Sequence, residues 1–434
     1  MDIEEEINYC LNCKTKPCTK GCPLENDIPE VIRLIKNKEF EEAYKTLTKT
    51  TVLPAACGRI CPHMKQCQSK CTRGIKQEPV QIGSIEAYLA DIAIENKYKI
   101  EKFECYEENK AKNKKVAVIG GGPAGLTCAA FLARSGINVT IYEKHNKLGG
   151  ILEHGIPEFR LEKRKVEQVI NNILDLGINV EYNKEIGKNL NLLELVKEYD
   201  AIFLGIGANV STKMNIEGEA LNGVYGANEV LEFNKELNIE GKKVAIIGGG
   251  NVAMDIARTA KRKNALEVTV IYRRERDQMP AELKEIEEAE NEGIKFLFKN
   301  NITKIISDEN KEEVKKIECI KTELIQKDGE SRPSPVNIEG SNYQIDMDMV
   351  FMAVGSKPEK EIIDILGLNI NKYGNIEVDN EYRTSNKKIF AAGDLIGEKA
   401  TVAFAARSGR NAANSILKNI LSSSMMNAKE LILR

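Results

Sequence analysis

Eight cysteines near the start of the chain have the spacing most suggestive of chemistry. The first group reads C-x2-C-x4-C-x3-C-P and the second reads C-x3-C-x5-C-x3-C. Clustered cysteines in a chain without an export signal more often bind metal or do redox chemistry than form structural disulfides. The eight residues are Cys10, Cys13, Cys18, Cys22, Cys57, Cys61, Cys67 and Cys71.

The first group ends in Cys-Pro, as does the ferredoxin run in which the last cysteine binds the other of two clusters. Zinc ribbons instead usually show two C-x2-C knuckles. The spacing therefore favours two 4Fe–4S clusters, with zinc as the alternative. His63 lies within the second group, but the thiolates suffice as ligands, and we interpret it as a surface histidine.

Two glycine-rich stretches repeat each other 128 residues apart. KKVAVIGGGPAGLTCAAFLA begins at Lys114, and KKVAIIGGGNVAMDIARTAK begins at Lys242. Each runs from an apolar strand through a tight turn into a helix, the context that a dinucleotide-binding fingerprint requires. The key small residues are Gly120, Gly122 and Gly125 in the first copy and Gly248, Gly250 and Ala253 in the second.

The end of the second strand differs between the copies. VTIYEK places Glu143 where a carboxylate can accept hydrogen bonds from the ribose hydroxyls of FAD or NAD. VTVIYRRE places Arg273 and Arg274 at the corresponding point, where guanidinium groups can clamp a 2′-phosphate. The second copy is therefore predicted to prefer NADPH; two surface charges on a loop are the alternative.

A further glycine-aspartate turn occurs near the end of the chain, in KIFAAGDLIGEKATVAFAARSGRNAA. Asp394 could bind the ribityl hydroxyls of FAD, and a helix beginning near Thr401 could direct its N-terminus at the flavin ring. An ordinary capped helix would explain the same pattern. Cys128 and Cys319 are interpreted as buried core residues, which argues against a disulfide reductase.

Bulk properties exclude several classes. The chain has 434 residues, a net charge of -2 and interspersed acidic and basic residues, unlike a nucleic-acid binder. The acidic N-terminus lacks the apolar core of a signal peptide, and no apolar run approaches the length of a spanning helix. We therefore expect a cytoplasmic protein that binds neither nucleic acid nor membrane.

The elements that must position these residues predict an α/β protein. A helical domain over 1–112 would hold two 4Fe–4S clusters, with 101–115 as a charged linker. Two Rossmann-like nucleotide-binding domains would follow, one inserted in the other. The expected ranges are 113–235 plus 355–425 for FAD, 240–353 for NADPH, and 426–434 for a C-terminal tail.

Over nearly its whole length the sequence resembles one superfamily. The N-terminal motif, ACGRICPHMKQCQSKC, EPVQIGSIEAYLAD, GGGPAGL, GGILEHGIPEFRLEK, GGGNVAMD, YRRERDQMPAE and AAGDLIG occur in a single order. The pattern is similar to the small subunit of NADPH glutamate synthase, and equally to the large subunit of NADH-dependent ferredoxin:NADP oxidoreductase. It is also similar to the N-terminal half of dihydropyrimidine dehydrogenase.

The resemblance implies FAD, NADPH and two 4Fe–4S clusters, with residues carried over by motif. Those implied for FAD are Gly120, Gly122, Pro123, Ala124, Gly125, Leu126, Glu143, Lys144, Gly149, Gly150, Ile151, Arg160, Gly393, Asp394 and Thr401. Those implied for NADPH are Gly248, Gly249, Gly250, Asn251, Val252, Arg273, Arg274, Ala353, Val354 and Gly355. His154 departs from the family pattern and is given no role.

The resemblance also implies that the eight cysteines are not two sets of four. The family cysteine corresponding to Cys57 is not a ligand, and an acidic or amide side chain downstream takes its place, which falls here on Glu86. A solvent-facing glutamate, with a plain two-by-four arrangement, is the alternative. The implied sets are Cys10, Cys13, Cys18 and Cys71 for one cluster, and Cys22, Cys61, Cys67 and Glu86 for the other.

These implications describe an electron-transfer subunit without an identifiable catalytic acid or base. Electrons would pass from NADPH to FAD, through the clusters, and on to a larger catalytic or electron-accepting subunit. A bifurcating ferredoxin:NADP type, with ferredoxin as acceptor, and the input subunit of dihydropyrimidine dehydrogenase are alternatives. A zinc-stabilised NADP(H)-binding regulator is the alternative from another class.

Overall fold

The computed structural model describes residues 2–103, 111, 113–232, 236–310, 312–326 and 332–421. They divide into two compact units: 1–153, 158–208 and 358–434 form the first, and 154–157 with 209–357 form the second. The expected tail 426–434 and most of the expected linker lie outside the described residues. Within the described ranges, no helix has both the length and the apolar character needed to cross a membrane.

The first part of the first unit is helical. Of the second cysteine group, Cys57 lies in a helix, whereas Cys61, Cys67 and Cys71 lie next to short 3-10 turns. These turns are His63–Lys65, Gln68–Lys70 and Thr72–Ile75. Lys38 takes a left-handed φ of 64° and separates the helix that begins at Ile28 from the helix that begins at Phe40. The helices are α1 Ile3–Tyr9, α2 Pro17–Gly21, α3 Ile28–Lys36, α4 Phe40–Thr48, α5 Pro54–Ile60 and α6 Ile82–Glu95.

The first glycine-rich stretch then opens an alternation of strands and helices. The central strand Lys115–Ile119 is apolar after its first residue because both faces of the sheet are covered there: Val116, Ala117 and Val118 are fully buried. The elements are β1 Lys115–Ile119, α7 Pro123–Arg134, β2 Asn138–Tyr142, α8 Lys163–Leu174, β3 Asn179–Glu181, α9 Leu192–Glu198 and β4 Ala201–Leu204.

The second unit combines three sheets. The elements are β5 Val210–Ser211, β6 Val224–Gly226, α10 Ala227–Glu232, β7 Lys243–Ile247, α11 Asn251–Arg262, β8 Glu267–Tyr272, α12 Leu283–Asn291, β9 Lys295–Phe298, β10 Asn300–Ser307, β11 Val314–Ile325, β12 Ser334–Asn337, β13 Tyr343–Asp346, β14 Met349–Met352 and β15 Ser356–Lys357. The parallel sheet has the order β6-β14-β7-β8-β9. Strands β10, β11, β12 and β13 form an antiparallel sheet, and β5 pairs with β15.

The chain then returns to the first unit and completes its parallel sheet. The remaining elements are α13 Lys360–Leu366, β16 Ile389–Ala391 and α14 Val402–Leu421. The finished sheet has the order β16-β4-β1-β2-β3, so its outermost strand comes from the end of the chain. One nucleotide-binding fold thus interrupts another.

The expected fold class is confirmed: a helical N-terminal region precedes two Rossmann-type parallel sheets, one inserted in the other. The domain limits stay a proposal. Strand β6 falls within the expected range 113–235 yet pairs with β14 in the second sheet, which favours a boundary near residue 209. The antiparallel sheet of β10 to β13 had no counterpart in the sequence reasoning.

Candidate cofactor sites

The first glycine-rich turn joins β1 to α7. Gly120 adopts a φ of 96°, and a Cβ there would lie 2.6 Å from the carbonyl oxygen of Gly205, so a side chain is excluded. A Cβ at Gly122 would meet only Gly150, 3.8 Å away. The turn is therefore tight toward the protein and open on its other side, as a pyrophosphate cradle needs to be.

Glu143 lies directly after β2 and is buried. Its Oε2 accepts from the backbone N–H of Gly121 at 2.7 Å, and its Oε1 accepts from that of His145 at 2.9 Å. The carboxylate is thereby fixed beside the glycine-rich turn. Such an anchored carboxylate suits hydrogen bonds from the ribose of an adenosine.

The other residues expected at FAD lie in the same unit. Pro123, Ala124 and Leu126 are buried at the start of α7, whereas Ile151 is 45% exposed. The backbone N–H of Gly149 donates to the carbonyl of Gly121 at 2.8 Å, which ties the two glycine segments together. Lys144, Gly150 and Arg160 are half-buried.

The glycine-aspartate turn follows β16 and precedes α14. The N–H of Gly393 donates to Ser408 Oγ at 3.0 Å, which fixes the turn against that helix. Burial, with Glu398 nearby, raises the pKa of Asp394 to about 6. The Oγ1 of Thr401 accepts from the N–H of Phe404 at 3.3 Å. The structure therefore contains the capped helix, and the flavin role of Asp394 and Thr401 stays a prediction.

The second glycine-rich turn joins β7 to α11. Gly248 has a φ of 137°, and a Cβ there would lie 2.2 Å from the carbonyl oxygen of Ala353. A Cβ at Gly250 would meet nothing nearer than Pro280, at 3.9 Å. This turn is likewise packed tightly against the protein at Gly248 and open at Gly250, so its geometry fits a second dinucleotide.

Residues after the turn hold its neighbours in place. Asn251 Oδ1 accepts from the N–H of Glu282 at 2.9 Å, and Val252 is half-buried in α11. Val354 is 39% exposed after β14, and the carbonyl of Gly355 accepts from the N–H of Thr212 at 2.9 Å.

The two expected arginines directly follow β8. Arg273 is exposed and Arg274 half-buried. Although Arg273 is exposed as a whole, partial desolvation of its guanidinium group lowers its pKa, and the neighbouring guanidinium groups of Arg274 and Arg332 lower it further. Arg332 lies in the connection before β12 and was not identified from the sequence, because its distance from the fingerprint gives no local signal.

The first cysteine set gathers four residues from two separate segments. Cys10, Cys13, Cys18 and Cys71 line one pocket. Burial chiefly raises the pKa of Cys18 to about 11, and the proximity of Cys10 and Cys71 adds to the increase. Cys13 Sγ lies 3.3 Å from Thr72 Oγ1, a partner that the sequence reasoning did not include.

The second set gathers around Glu86. Burial is the main cause that raises the pKa of Cys22 to about 12, and burial likewise raises the pKa of Cys67. Both thiols interact electrostatically with Glu86. Burial also raises the pKa of Glu86 to about 8. Its Oε1 is sealed from solvent and has no hydrogen-bond partner among the described residues, although the side chain as a whole is half-buried.

Cys57 lies beside this second set. Its thiol is hydrogen-bonded to that of Cys61, a contact that is the first cause of the raised Cys61 pKa. Its sulfur also lies 3.9 Å from Thr51 Oγ1. Proximity alone therefore leaves five candidate ligands in this set, and the role of Cys57 stays a prediction.

The donor chemistry fits iron–sulfur clusters. Buried thiols and an unpaired carboxyl oxygen that disfavour one another's ionisation would be stabilised by a cationic metal centre. A zinc ion draws its ligands to about 2.3 Å. Among the described residues no three His, Cys, Asp or Glu side chains are arranged to hold a single metal ion. The kind and number of metal centres that these two sets hold stay a prediction.

Two interleaved nucleotide folds and a cysteine-rich helical region define an FAD- and NAD(P)H-dependent iron–sulfur oxidoreductase. Residues 114–412 match the family "Pyridine nucleotide-disulphide oxidoreductase", and residues 1–98 match "Dihydroprymidine dehydrogenase domain II, 4Fe-4S cluster". The chain belongs to the pyridine nucleotide-disulphide oxidoreductase family and, within it, to the relatives of the glutamate synthase small chain.

Individual relatives agree with this placement. The glutamate synthase [NADPH] small chain of Escherichia coli is 34% identical over 95% of this chain and 90% of its own length. Oxidoreductase AegA of the same organism is 36% identical over 95% of this chain, which spans only 65% of that protein. The NADP(+)-dependent formate dehydrogenase subunit beta of Moorella thermoacetica is 35% identical over 93% of this chain and 59% of its own length.

Solved structures share the fold. FprA of Mycobacterium tuberculosis in complex with NADPH has a TM-score of 0.63 at 17% identity, covering 74% of this chain and 88% of that one. Thioredoxin reductase of T. acidophilum has a TM-score of 0.54 at 21% identity, covering 71% of this chain and all of that one. The 4Fe–4S match and the oxidoreductase relatives favour the enzyme over a zinc-stabilised regulator.

Proposed function

We propose that this chain is the electron-input subunit of a larger oxidoreductase, with NADPH as donor and two 4Fe–4S clusters as the exit route. Its relatives include proteins named as a small chain and as beta subunits, which supports a larger partner subunit as acceptor. When bound, FAD accepts hydride and releases single electrons, which iron–sulfur clusters can carry onward. The protein's own side chains would bind and orient the cofactors and shield them from solvent.

In the first unit, the glycine turn at Gly120 would cradle the FAD pyrophosphate and Glu143 would hold its ribose. Asp394 would face the ribityl chain, and Thr401 would cap the helix whose N-terminus would be directed at the ring. In the second unit, the turn at Gly248 would hold the NADPH pyrophosphate. Arg273 and Arg274 would bind its 2′-phosphate.

One observation carries the proposed route: the same helix serves both the flavin region and a cluster loop. Arg410 of α14 is buried and donates to the carbonyl oxygens of Leu24 at 2.8 Å and Thr50 at 3.0 Å. Leu24 follows two residues after Cys22. The loop of the second cysteine set is thereby anchored to the helix that begins after Asp394, which supports electron exit through that set.

The test is anaerobic purification of the full chain, followed by flavin and iron analysis and an absorption spectrum. Flavin bands with a broad shoulder near about 400 nm, bleached by NADPH, are expected. A colourless protein that contains zinc would refute the proposal.

The ferredoxin:NADP alternative predicts a different acceptor. Ferredoxin and ferricyanide are added separately to the NADPH-reduced protein, and reoxidation is followed by absorbance. Rapid reoxidation by ferredoxin would favour that alternative, whereas reoxidation only by the small acceptor supports a dedicated partner subunit.

A further inference from the structure

The antiparallel sheet of the second unit brings a third arginine to the Arg273–Arg274 pair. Arg332 lies 59 residues after Arg273 in the chain, just before β12. Two contacts attach this segment to the end of β8. Arg332 Nη2 donates to Tyr272 Oη at 2.5 Å, and Arg274 Nε donates to the carbonyl oxygen of Pro333 at 3.0 Å.

The hydrogen bond to Tyr272 places Arg332 next to the nucleotide-binding turn. The Tyr272 ring lies so close to Gly249 that a Cβ on Gly249 would lie 2.6 Å from ring carbon Cε2. Tyr272 Oη in turn donates to the carbonyl of Gln278 at 2.8 Å. Arg332 is therefore held by a side chain that packs directly on the glycine-rich turn.

Strand β11 fixes the arrangement from the other side. Thr322 Oγ1 donates to the carbonyl of Arg273 at 2.9 Å, and Thr322 N–H donates to the carbonyl of Lys299 at 2.8 Å. Strands β11 and β12 pair from Thr322–Asn337 to Ile325–Ser334. The sheet thus presents Arg332 to Arg273 through defined strand pairing.

Three guanidinium groups gathered in this way repel one another unless an anion lies between them. No ion pair links Arg273, Arg274 or Arg332 to a carboxylate among the described residues. Acidic neighbours are paired elsewhere: Glu275 with Lys299 at 3.2 Å and Glu290 with Arg276 at 2.9 Å. The cluster consequently has the charge and the open donors of a site for a doubly charged phosphate.

We infer that Arg332 is a specificity-determining residue that completes a three-arginine clamp for the 2′-phosphate of NADP(H). The inference rests on the proposed use of NADPH and deepens it. A 2′-phosphate would lie where the second strand ends, beside the turn that holds the pyrophosphate. NAD(H) lacks this group, so Arg332 should distinguish the two coenzymes without affecting their shared parts.

The experiment measures dissociation constants of NADP+ and NAD+ for the purified holoprotein by isothermal titration calorimetry. Arg332→Ala should weaken NADP+ binding roughly ten- to hundredfold, the effect of losing a hydrogen bond to a charged group. NAD+ binding should stay within about twofold. Arg332→Lys, which keeps the charge but not the planar fork, should give an intermediate loss of NADP+ affinity.

Lys321→Ala is the matched control. It removes one positive charge from the same strand pair, but Lys321 is exposed and neighbours Thr322 on the opposite face of β11. Its NADP+ affinity should equal that of the wild type. If Arg332→Ala fails to retain flavin, Tyr272→Phe provides the test instead. This variant keeps the ring on Gly249 and removes the hydroxyl that accepts from Arg332 and donates to the carbonyl of Gln278. A severalfold loss of NADP+ affinity is expected there too.

The possible failures are distinguishable. A wild-type protein without preference for NADP+ over NAD+ would refute the proposed NADPH use, and the Arg332 inference with it. An intact NADP+ preference in Arg332→Ala would refute the inference alone. Equal weakening of both coenzymes would also overturn it, since Arg332 would then support only the structure of the turn.

Discussion

Replacing Glu86 tests whether the second cysteine set is completed by a carboxylate or by Cys57. Glu86 Oε1 is buried with no hydrogen-bond partner among the described residues, and thiols of three neighbouring cysteines interact with the carboxyl group. If the carboxylate is the ligand, Glu86→Ala removes it, so the second cluster should be lost. Cys57→Ser should keep both clusters, because the oxygen ligand remains.

The size of the effect follows from the burial of the carboxyl group. Burial raises the Glu86 pKa from 4.5 to about 8. That increase corresponds to about 5 kcal/mol against the ionised form, which a nearby iron would have to offset. Glu86→Gln keeps an oxygen donor but removes one negative charge. At an effective dielectric constant of about 20, one charge at about 4 Å contributes about 4 kcal/mol, so the cluster potential should rise by up to about 170 mV.

The assay counts iron per chain and records EPR spectra during reductive titration of the anaerobic protein. Glu86→Ala should lose about half of the iron and one cluster signal, whereas Cys57→Ser should resemble the wild type. Glu86→Gln should retain both signals, with one shifted to higher potential. If Cys57→Ser loses a cluster while Glu86→Ala keeps both spectra unchanged, the crossed assignment is wrong and the two-by-four arrangement stands.

Three further predictions concern the nucleotide-binding folds. Replacing both Arg273 and Arg274 with Ala should weaken flavin reduction by NADPH, with a loss of about 1.5–3 kcal/mol for each charge-assisted hydrogen bond. Flavin reduction by NADH should change little, and stopped-flow absorbance with each coenzyme measures both reactions. An unaltered coenzyme preference would show that the two arginines do not select NADPH. Asp394→Asn should stabilise the flavin-free protein above pH 6 by up to about 3 kcal/mol, because a raised carboxyl pKa means that ionisation destabilises the folded state. Below about pH 4 the carboxyl group is protonated in the folded and unfolded states, so no gain is expected there. Thermal unfolding across this pH range measures the effect, and FAD retention should fall in the same variant. Gly409→Ala should destabilise the first unit by about 1–3 kcal/mol, because its Cβ would lie 2.3 Å from the carbonyl oxygen of Ala124; an unchanged unfolding midpoint would show that the two helices can separate without cost.

Much of the molecule was predictable because its motifs are local. A strand, a glycine turn and a helix within about 20 residues specify their own geometry, so both nucleotide-binding turns were predicted from the sequence. The charge of the side chain that follows the second strand is likewise given directly by the sequence, negative at Glu143 and positive at Arg273. Burial of Cys128 and Cys319 was also predicted, and both are fully buried.

The tertiary structure decided what depends on residues far apart in the chain. Strand β6 joins the second sheet because β14, more than 120 residues later, offers it a parallel edge. Arg332 reaches Tyr272 only because an antiparallel sheet folds back over β8. The family resemblance pointed to Glu86, but only packing determined that its Oε1 would be sealed from solvent next to three thiols. Sequence patterns specify local backbone shape and charge, whereas a binding site made from separate segments exists only once those segments have packed together.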